Sequence, residues 1–595
     1  MNRRTLLKGL VAAPLLNALP RALRAGPGAS LAGPWRRIRP SDAAWPKAAE
    51  WAKLNERVGG NLLKVEALFE RGPISPENLR NPFFLGDQPG GTQISGWLDA
   101  WTPAPSAYAV KAQRTEDVVA AVNFAREHRL RLVVKGAGHS YLGTSNAPDS
   151  LLLWTRAMTA VTVHDRFVPK GSRATPVPAV TAEAGAVWID LYHQVTTLHG
   201  RYVQGGGCAD VGVAGLVQSG GFGSFSKNYG IAAAHLLEAE IVTADGVART
   251  VNADNDPDLF WALKGGGGGS WGVVTRVTLR THELPENFGA AWGDIQATSD
   301  AAFRRLLVHF FDFYHDRLFN PHWGEHVVIS PMNTLELSLV AQGLDNEEVK
   351  RLWQPFWDWL ADHGSDYTFK NRPAAAAFSA RGWWDLKDNG SMVPDPRAGV
   401  PNYHGWWKGD QGQVGAFLYG YDSVWLPASL LENAQRSSLV EALFAASRYQ
   451  EVQLQFNKGL AAAPLSAVLA TQKTAMNPEV VSAFALAIVA TGEGPAYPGE
   501  SRSPLDLKHA HEGAKAVDGA TAALRRVAPG AGSYVSESNF FNHSWARAYW
   551  GKNYERLRAV KAAYDPEGLF FVHHGVGSEG WSDDGFTRLD PARPT

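Results

Sequence analysis

The single cysteine of the chain, Cys208, stands in Gly205-Gly206-Gly207-Cys208-Ala209-Asp210-Val211-Gly212. A lone cysteine is by default a small buried hydrophobe, and a glycine-rich loop is a poor place for one. It can form no intramolecular disulfide, so its setting calls for a chemical reason. A second block, Lys135-Gly136-Ala137-Gly138-His139-Ser140, follows the apolar run Leu132-Val133-Val134. By itself His139 reads as a structural histidine. Further glycines cluster at Gly220-Gly221-Phe222-Gly223 and from Gly265 to Gly269. Without a Cβ, such loops let backbone N–H groups come close to phosphate oxygens. One glycine run is usually a plain turn; several in succession suggest a ligand with an extended anionic part, such as a dinucleotide. None is the G-x-G-x-x-G fingerprint, and no Gly-Lys-Ser/Thr ends a run, so a dinucleotide would bind on a fold other than the Rossmann or P-loop type.

The elements that must position these blocks follow from periodicity. Thr115-Glu116-Asp117 places a cap and acids before Val118, Ala121, Val122 and Ala125, predicting a helix. Leu132–Val134 predicts a short buried strand delivering the His139 block. Val187 to Leu198 predicts a second helix, stopped by Gly200. Glu238 to Asn252 predicts a hairpin turning at Asp245-Gly246. From Val273 the apolar and polar residues alternate as in a strand. Helices are expected around Ala48–Leu54, Ala301–Tyr314, Glu347–Leu360 and Tyr554–Tyr564, the last stopped by Asp565-Pro566, and strands around Val327–Ser330 and Ala483–Ala490.

These blocks share a resemblance. His139 in its strand-end loop, the Cys208 loop running into Val213-Ala214-Gly215, then Gly-Gly-Phe-Gly, Ile241-Val242-Thr243-Ala244-Asp245-Gly246 and Gly265–Gly272-Val273-Val274-Thr275 resemble the vanillyl-alcohol oxidase/p-cresol methylhydroxylase flavoproteins. Tyr549-Trp550-Gly551-Lys552-Asn553-Tyr554-Glu555-Arg556-Leu557, with Val560-Lys561 and Tyr564-Asp565-Pro566, is similar to the closing segment of their berberine-bridge-enzyme-like branch. The resemblance covers roughly residues 100–285 and 534–580, holds loosely over 286–533, and implies FAD as cofactor. His139 would bond the 8α methyl of the flavin and Cys208 its ring carbon 6. Lys135, Gly136, Ala137, Gly138, Ser140, Val211, Gly212, Gly215, Gly220, Gly221, Gly223, Gly272, Val273 and Val274 would surround the cofactor. A valine at Val211 is associated in this branch with access of O2 to the flavin. Many relatives carry Tyr-x-Asn-Tyr at the start of the closing segment and use the second tyrosine as base. Here the stretch is Tyr534-Val535-Ser536-Glu537. Glu537 can serve if burial raises its affinity for a proton; Tyr534 or a residue of the second domain are the alternatives.

The resemblance implies an α+β architecture: a bilobed FAD-binding domain built from both sides of the sequence, with an α+β substrate domain inserted. The expected divisions are a signal peptide at 1–25, an N-terminal extension at 26–102, the FAD-binding domain at 103–285, the substrate domain at 286–533 and the closing segment at 534–595. The implied activity is oxidation of a small alcohol or sugar hydroxyl with O2 as electron acceptor. A dehydrogenase using another acceptor, or an oxidative cyclase, fits the same fold. A secreted carbohydrate-binding protein using tryptophan platforms is a rival of another class, and gives His139 and Cys208 no joint purpose.

Composition narrows the partners. Of 595 residues 45% are hydrophobic and 19% charged, with a formal net charge of -1, which favours neither nucleic acid nor an anionic membrane. Length suggests two or three domains. Arg3-Arg4 followed by Thr5-Leu6-Leu7-Lys8, a short apolar stretch to Leu19 and a small-residue exit at Ala25 read as a secretory signal of twin-arginine type, predicting an exported, periplasmic or secreted protein without a membrane anchor. No metal site is evident: the His573-His574 pair lacks ligand partners at useful spacing. The 22 Trp are numerous, and the patch Trp383, Trp384, Tyr403, Trp406, Trp407, Tyr419, Tyr421 and Trp425 offers either a core or cleft walls, with one or two of these expected to meet substrate.

Overall fold

The structure is a computed structural model that describes residues 35–589; the expected leader at 1–25 lies outside the described residues. Three sheets organise the chain. In the first, Arg131–Lys135 and Tyr108–Lys111 both run parallel to Ser150–Trp154, and Leu62–Lys64 adds antiparallel on the far side. Helix Thr115–Glu127 connects Tyr108–Lys111 to Arg131–Lys135 and packs through Val118, Ala121, Val122 and Ala125, the face its periodicity predicts. The second sheet is antiparallel, in the order Ala248–Asn252, Leu236–Val242, Val273–Glu283, Val177–Glu183, Val161–Phe167. Its first two strands form the hairpin expected at Asp245-Gly246.

The chain then enters a nine-stranded sheet whose long central strands are Asn287–Ala297, Thr334–Gln342, Trp323–Ile329, Ala483–Glu493 and Phe417–Pro427. Helices Asp300–Phe313, Asn346–Asp362, Asn433–Ser447 and Leu507–Val527 cover one face of it with Phe303, Phe310, Trp353, Phe356, Leu443 and Leu524. Residues of the opposite face, among them Tyr421, Trp425, Leu486 and Ile488, share a core with the second sheet. The fold is α+β, and no helix among the described residues is long and apolar enough to cross a membrane.

One expectation changes in detail. Residues 187–198 are not one α-helix: Trp188–Leu191 is α-helical and Tyr192–Leu198 is a π-helix. The widened turn lets Tyr192 donate its hydroxyl to the Gly206 carbonyl while its ring stacks on Trp384 at 4.0 Å. Inserted π turns of this kind are frequent beside functional sites. The described part of the extension, 35–102, packs against the rest of the chain. Trp51 on helix Ala48–Arg57 stacks on Tyr108 at 4.1 Å. Gly96–Trp97 lies parallel to Phe417–Leu418 and closes an edge of the large sheet. The N-terminal segment also meets the closing segment, where the Arg37 guanidinium donates to the carbonyls of Gly585 and Gly568.

A buried histidine pair beside the second sheet makes stability sensitive to acid. His235 and His282 share a ring-to-ring hydrogen bond of 3.0 Å. Burial, followed by the charge of its partner, brings His235 down to about 3. Burial, then Arg280 and Arg201, brings His282 down to about 4. Their unfolded values are near 6.5, so the unfolded chain binds more protons below that pH. Stability is therefore full above pH 6.5 and falls as pH drops towards 4, by roughly 2–3 kcal/mol per group after allowance for coupling and solvent. Urea midpoints between pH 7 and 4.5 measure this; a flat profile would contradict it.

Candidate active site

The second sheet, the glycine loops and the open face of the large sheet enclose one cavity of about 980 Å³. The strand Arg131–Lys135 is largely buried and carries the loop 136–140 to its edge, so His139 reaches the cavity from a fixed support. His139 is partly exposed, and its Nε2 lies 2.5 Å from Oδ2 of the buried Asp210. Cys208 enters the same cavity from the next loop. Burial, then the negative charges of Asp410 and Asp210, push its thiol well above the ordinary cysteine range. Asp410, on the 3₁₀ turn Lys408–Gln413, faces that thiol. Burial and then Asp210 raise Asp410 to about 6. The same turn is pinned to the cysteine loop where Trp407 Nε1 donates to the Gly207 carbonyl at 3.1 Å.

Across the cavity, Glu537 is held by Lys458, whose ammonium lies 2.6 and 2.5 Å from the two carboxylate oxygens. Both side chains are mostly buried. A buried carboxylate alone would be costly; here the adjacent cation offsets its charge. Tyr534 also lines the cavity, but its hydroxyl accepts the Gly221 N–H at 3.3 Å and burial raises it well above the ordinary phenol. Glu325 comes from strand Trp323–Ile329 and bonds Ser224 Oγ at 2.5 Å. Its φ of 63° is unusual for a non-glycine residue inside a strand, and such outliers gather at ligand sites.

Most residues expected around the cofactor line this cavity: Gly136, Ala137, Gly138, Ser140, Val211, Gly212, Gly215, Gly223, Gly272 and Val274, with His139 and Cys208. Three do not. Val273 turns to the opposite side and packs with Leu132 and Phe570, because neighbours on a strand face opposite ways. Gly220 and Gly221 are needed by packing: a Cβ on Gly221, at φ +72°, would stand 2.1 Å from Leu216 Cδ2, and one on Gly220 would stand 2.8 Å from Met476 Sδ. Lys135 reaches the cavity wall, but its ammonium donates to the carbonyls of Gln88, Pro89 and Gly91 at 2.7, 2.7 and 3.0 Å. Its charge ties the N-terminal segment down, and burial brings it to about 7. Of the aromatic patch, Trp383, Trp384, Trp407 and Tyr421 line the cavity, while Tyr403, Trp406, Tyr419 and Trp425 do not.

The walls fit a ligand with phosphates and a planar polar ring. A Cβ built on Gly215 meets nothing within 4 Å, and one on Gly207 or Gly268 meets only a single atom at 3.9 Å. Glycine inside the helix Val213–Gln218 costs stability, so the open space before Gly215 is a cradle a side chain would fill. Gln218 Oε1, Asn457 Oδ1 and Asp410 Oδ2 are buried lining atoms with no hydrogen-bond partner among the described residues. Unpaired polar atoms of this kind call for a bound group. Asp210, Asp410, Glu325 and Lys458 were not singled out in the sequence. Asp210 alone had a signal, two residues after Cys208.

Comparison with known proteins gives the same picture. Residues 106–252 match an FAD binding domain, and residues 533–577 match the berberine and berberine-like family. The VAO-type flavoprotein oxidase VAO615 of Thermothelomyces thermophilus is 28% identical over 93% of this chain and 95% of its own. The FAD-linked oxidoreductase ZEB1 of Gibberella zeae is 28% identical over 91% of this chain and 93% of its own. Among solved structures, the VAO-type flavoprotein MtVAO615 of Myceliophthora thermophila superposes with a TM-score of 0.75 at 25% identity, over 93% of this chain and all of that one. Glucooligosaccharide oxidase of Acremonium strictum, with 6-S-cysteinyl, 8α-N1-histidyl FAD, shares the fold with a TM-score of 0.64 at 19% identity, over 88% of this chain and 99% of that one.

Proposed function

Since the chain belongs to the berberine-bridge-enzyme-like branch of the vanillyl-alcohol oxidase/p-cresol methylhydroxylase flavoproteins and is an FAD-linked oxidoreductase, we propose that it is an oxidase carrying FAD on two covalent bonds, through His139 and Cys208, and acting on a small alcohol or sugar hydroxyl. The observation that carries this reading is the convergence of the sole cysteine, the Asp210-paired His139 and the carboxylate of Glu537 on one cavity. The glucooligosaccharide oxidase, with its cysteinyl and histidyl flavin, supports it by analogy. Bound FAD supplies the acceptor for the hydride leaving the alcohol carbon and passes the electrons to O2, giving H2O2.

The protein's own residues divide the remaining work. Glu537 takes the proton from the substrate hydroxyl. Lys458 keeps that carboxylate in one place through two short contacts. Gln453, Gln455, Asn457 and Ser338 give the substrate wall donors and acceptors suited to a hydroxyl-rich molecule, and Trp383 and Trp407 give it apolar faces. Val211 at the wall leaves room for O2. The leader proposed at 1–25 would export the protein by the twin-arginine route.

The test is acid denaturation of the purified protein and of His139→Ala, Cys208→Ala and the double variant. Flavin colour is expected to stay with the polypeptide in the wild type and both single variants, and to leave in the double. Wild-type flavin that washes away entirely would sink the two-point attachment. Oxygen uptake matched by peroxide, on a panel of alcohols and oligosaccharides, tests the oxidase assignment.

A further inference from the structure

We propose that Asp210 and Asp410 direct the two attachments: Asp210 fixes which nitrogen of His139 carries its proton, and Asp410 receives the proton of the Cys208 thiol. The inference rests on the two-point linkage proposed above and assigns its proton chemistry to residues of this chain.

Asp210 is a buried carboxylate 2.5 Å from His139 Nε2. An ionised carboxylate only accepts hydrogen bonds, so Nε2 must hold the hydrogen and Nδ1 is left with its lone pair. Nδ1 is then the nucleophile. When it bonds to carbon, the positive charge that develops on the ring lies directly against Asp210. The cysteine has the converse need. A thiol must lose its proton to react, and burial together with two nearby carboxylates holds that proton on sulfur. Asp410 faces the thiol, and its Oδ2 is buried without a partner among the described residues. Burial brings Asp410 to about 6, where a carboxylate can take up a proton near neutral pH. The Trp407–Gly207 hydrogen bond keeps the two loops in register.

The balance is the same at each site. At the cysteine a C–S bond replaces one flavin C–H and the S–H; at the histidine a C–Nδ1 bond replaces one flavin C–H, and the Nε2 hydrogen held against Asp210 leaves afterwards from the cationic ring. Two protons leave at each site, the sulfur proton to Asp410 and the others to solvent. The electron pair passes through the flavin to O2, the oxidant of the proposed turnover, which becomes H2O2.

Asp210→Asn keeps the shape, but its amide can donate to Nε2 and so place the imidazole hydrogen on Nδ1. Asp410→Asn removes the thiol's acceptor. Peptide mass spectrometry of acid-denatured protein reads flavin on the peptides holding residues 139 and 208 separately. Asp210→Asn is expected to lower linkage at His139 at least tenfold and spare Cys208. Asp410→Asn is expected to do the reverse. Asp210→Glu and Asp410→Glu, which keep the carboxylate, should each restore part of the lost linkage. If both linkages fall together, or neither falls, or the glutamates rescue nothing, the proposal is overturned. Absence of both linkages from the wild type would instead refute the attachment reading beneath it.

Discussion

Glu537→Gln lowers kcat by about 10²–10⁴-fold while leaving flavin content unchanged, the range expected when a positioned general base is lost. The amide fits the same space and can still meet Lys458, but it cannot accept the hydroxyl proton. Because the defect lies in proton transfer, KM should change far less than kcat. The geometry makes this a sharp test. Of the candidate bases, Tyr534 is held protonated by burial, whereas Glu537 opens on the cavity beside Lys458. Stopped-flow reduction of the bound flavin by substrate reads the step directly. Wild-type reduction rates in this variant would eliminate Glu537 and move the search to the large sheet.

Lys561→Met destabilises the fold by roughly 3–5 kcal/mol, the cost of leaving one partner of a buried ion pair alone. Lys561 Nζ donates to Asp565 Oδ2 at 2.6 Å and to the carbonyls of Ser270 and Phe570 at 2.6 and 2.8 Å. Asp565 is fully buried and also accepts the N–H groups of Leu569 and Phe570. One ammonium thus joins the closing helix, the glycine-loop region and the strand-like residues beside Leu132. Methionine fills most of the volume but leaves two carbonyls and a carboxylate without their donor. Adding Asp565→Asn should recover part of the loss, since it removes the stranded charge. A shift in unfolding free energy below about 1 kcal/mol would show that the pair contributes far less than buried pairs usually do.

What the sequence made legible follows how local each signal is. His139 and Cys208 could be read because each sits in its own glycine loop, and a thiol there has no packing role. The strand before His139, the Asp245-Gly246 hairpin and the helix Tyr554–Tyr564 were visible for the same reason, since period and turn chemistry lie within a few residues. Lys458 was invisible: it lies 79 residues from Glu537 and meets it only through the fold. Asp410 belongs to a short turn with no periodic pattern. How the segment 35–102 seats itself is not legible locally, because Trp51, Phe83 and Trp97 meet partners far along the chain and part of its hold comes from backbone carbonyls taken up by Lys135 and from a two-residue strand. Neither leaves a mark in composition. Val273 and Val274 look alike in sequence, and only the strand's alternation sends one to the cavity and the other to the opposite core.

The short strand Gly96–Trp97 has a kinetic consequence. Ser95, beside it, bonds the Gly415 carbonyl across a separation of 320 residues, and Arg37 bonds the Gly585 carbonyl across 548. Contacts of such range require large loops to close before any contact energy is gained, and they slow folding. The large sheet cannot complete its edge until an early segment has waited for residues made hundreds of positions later. The N-terminal segment cannot settle until the residues around Gly585 have been made. Refolding from urea should therefore be slow and prone to off-pathway association, with the tryptophans near Trp97 the last to reach their native fluorescence.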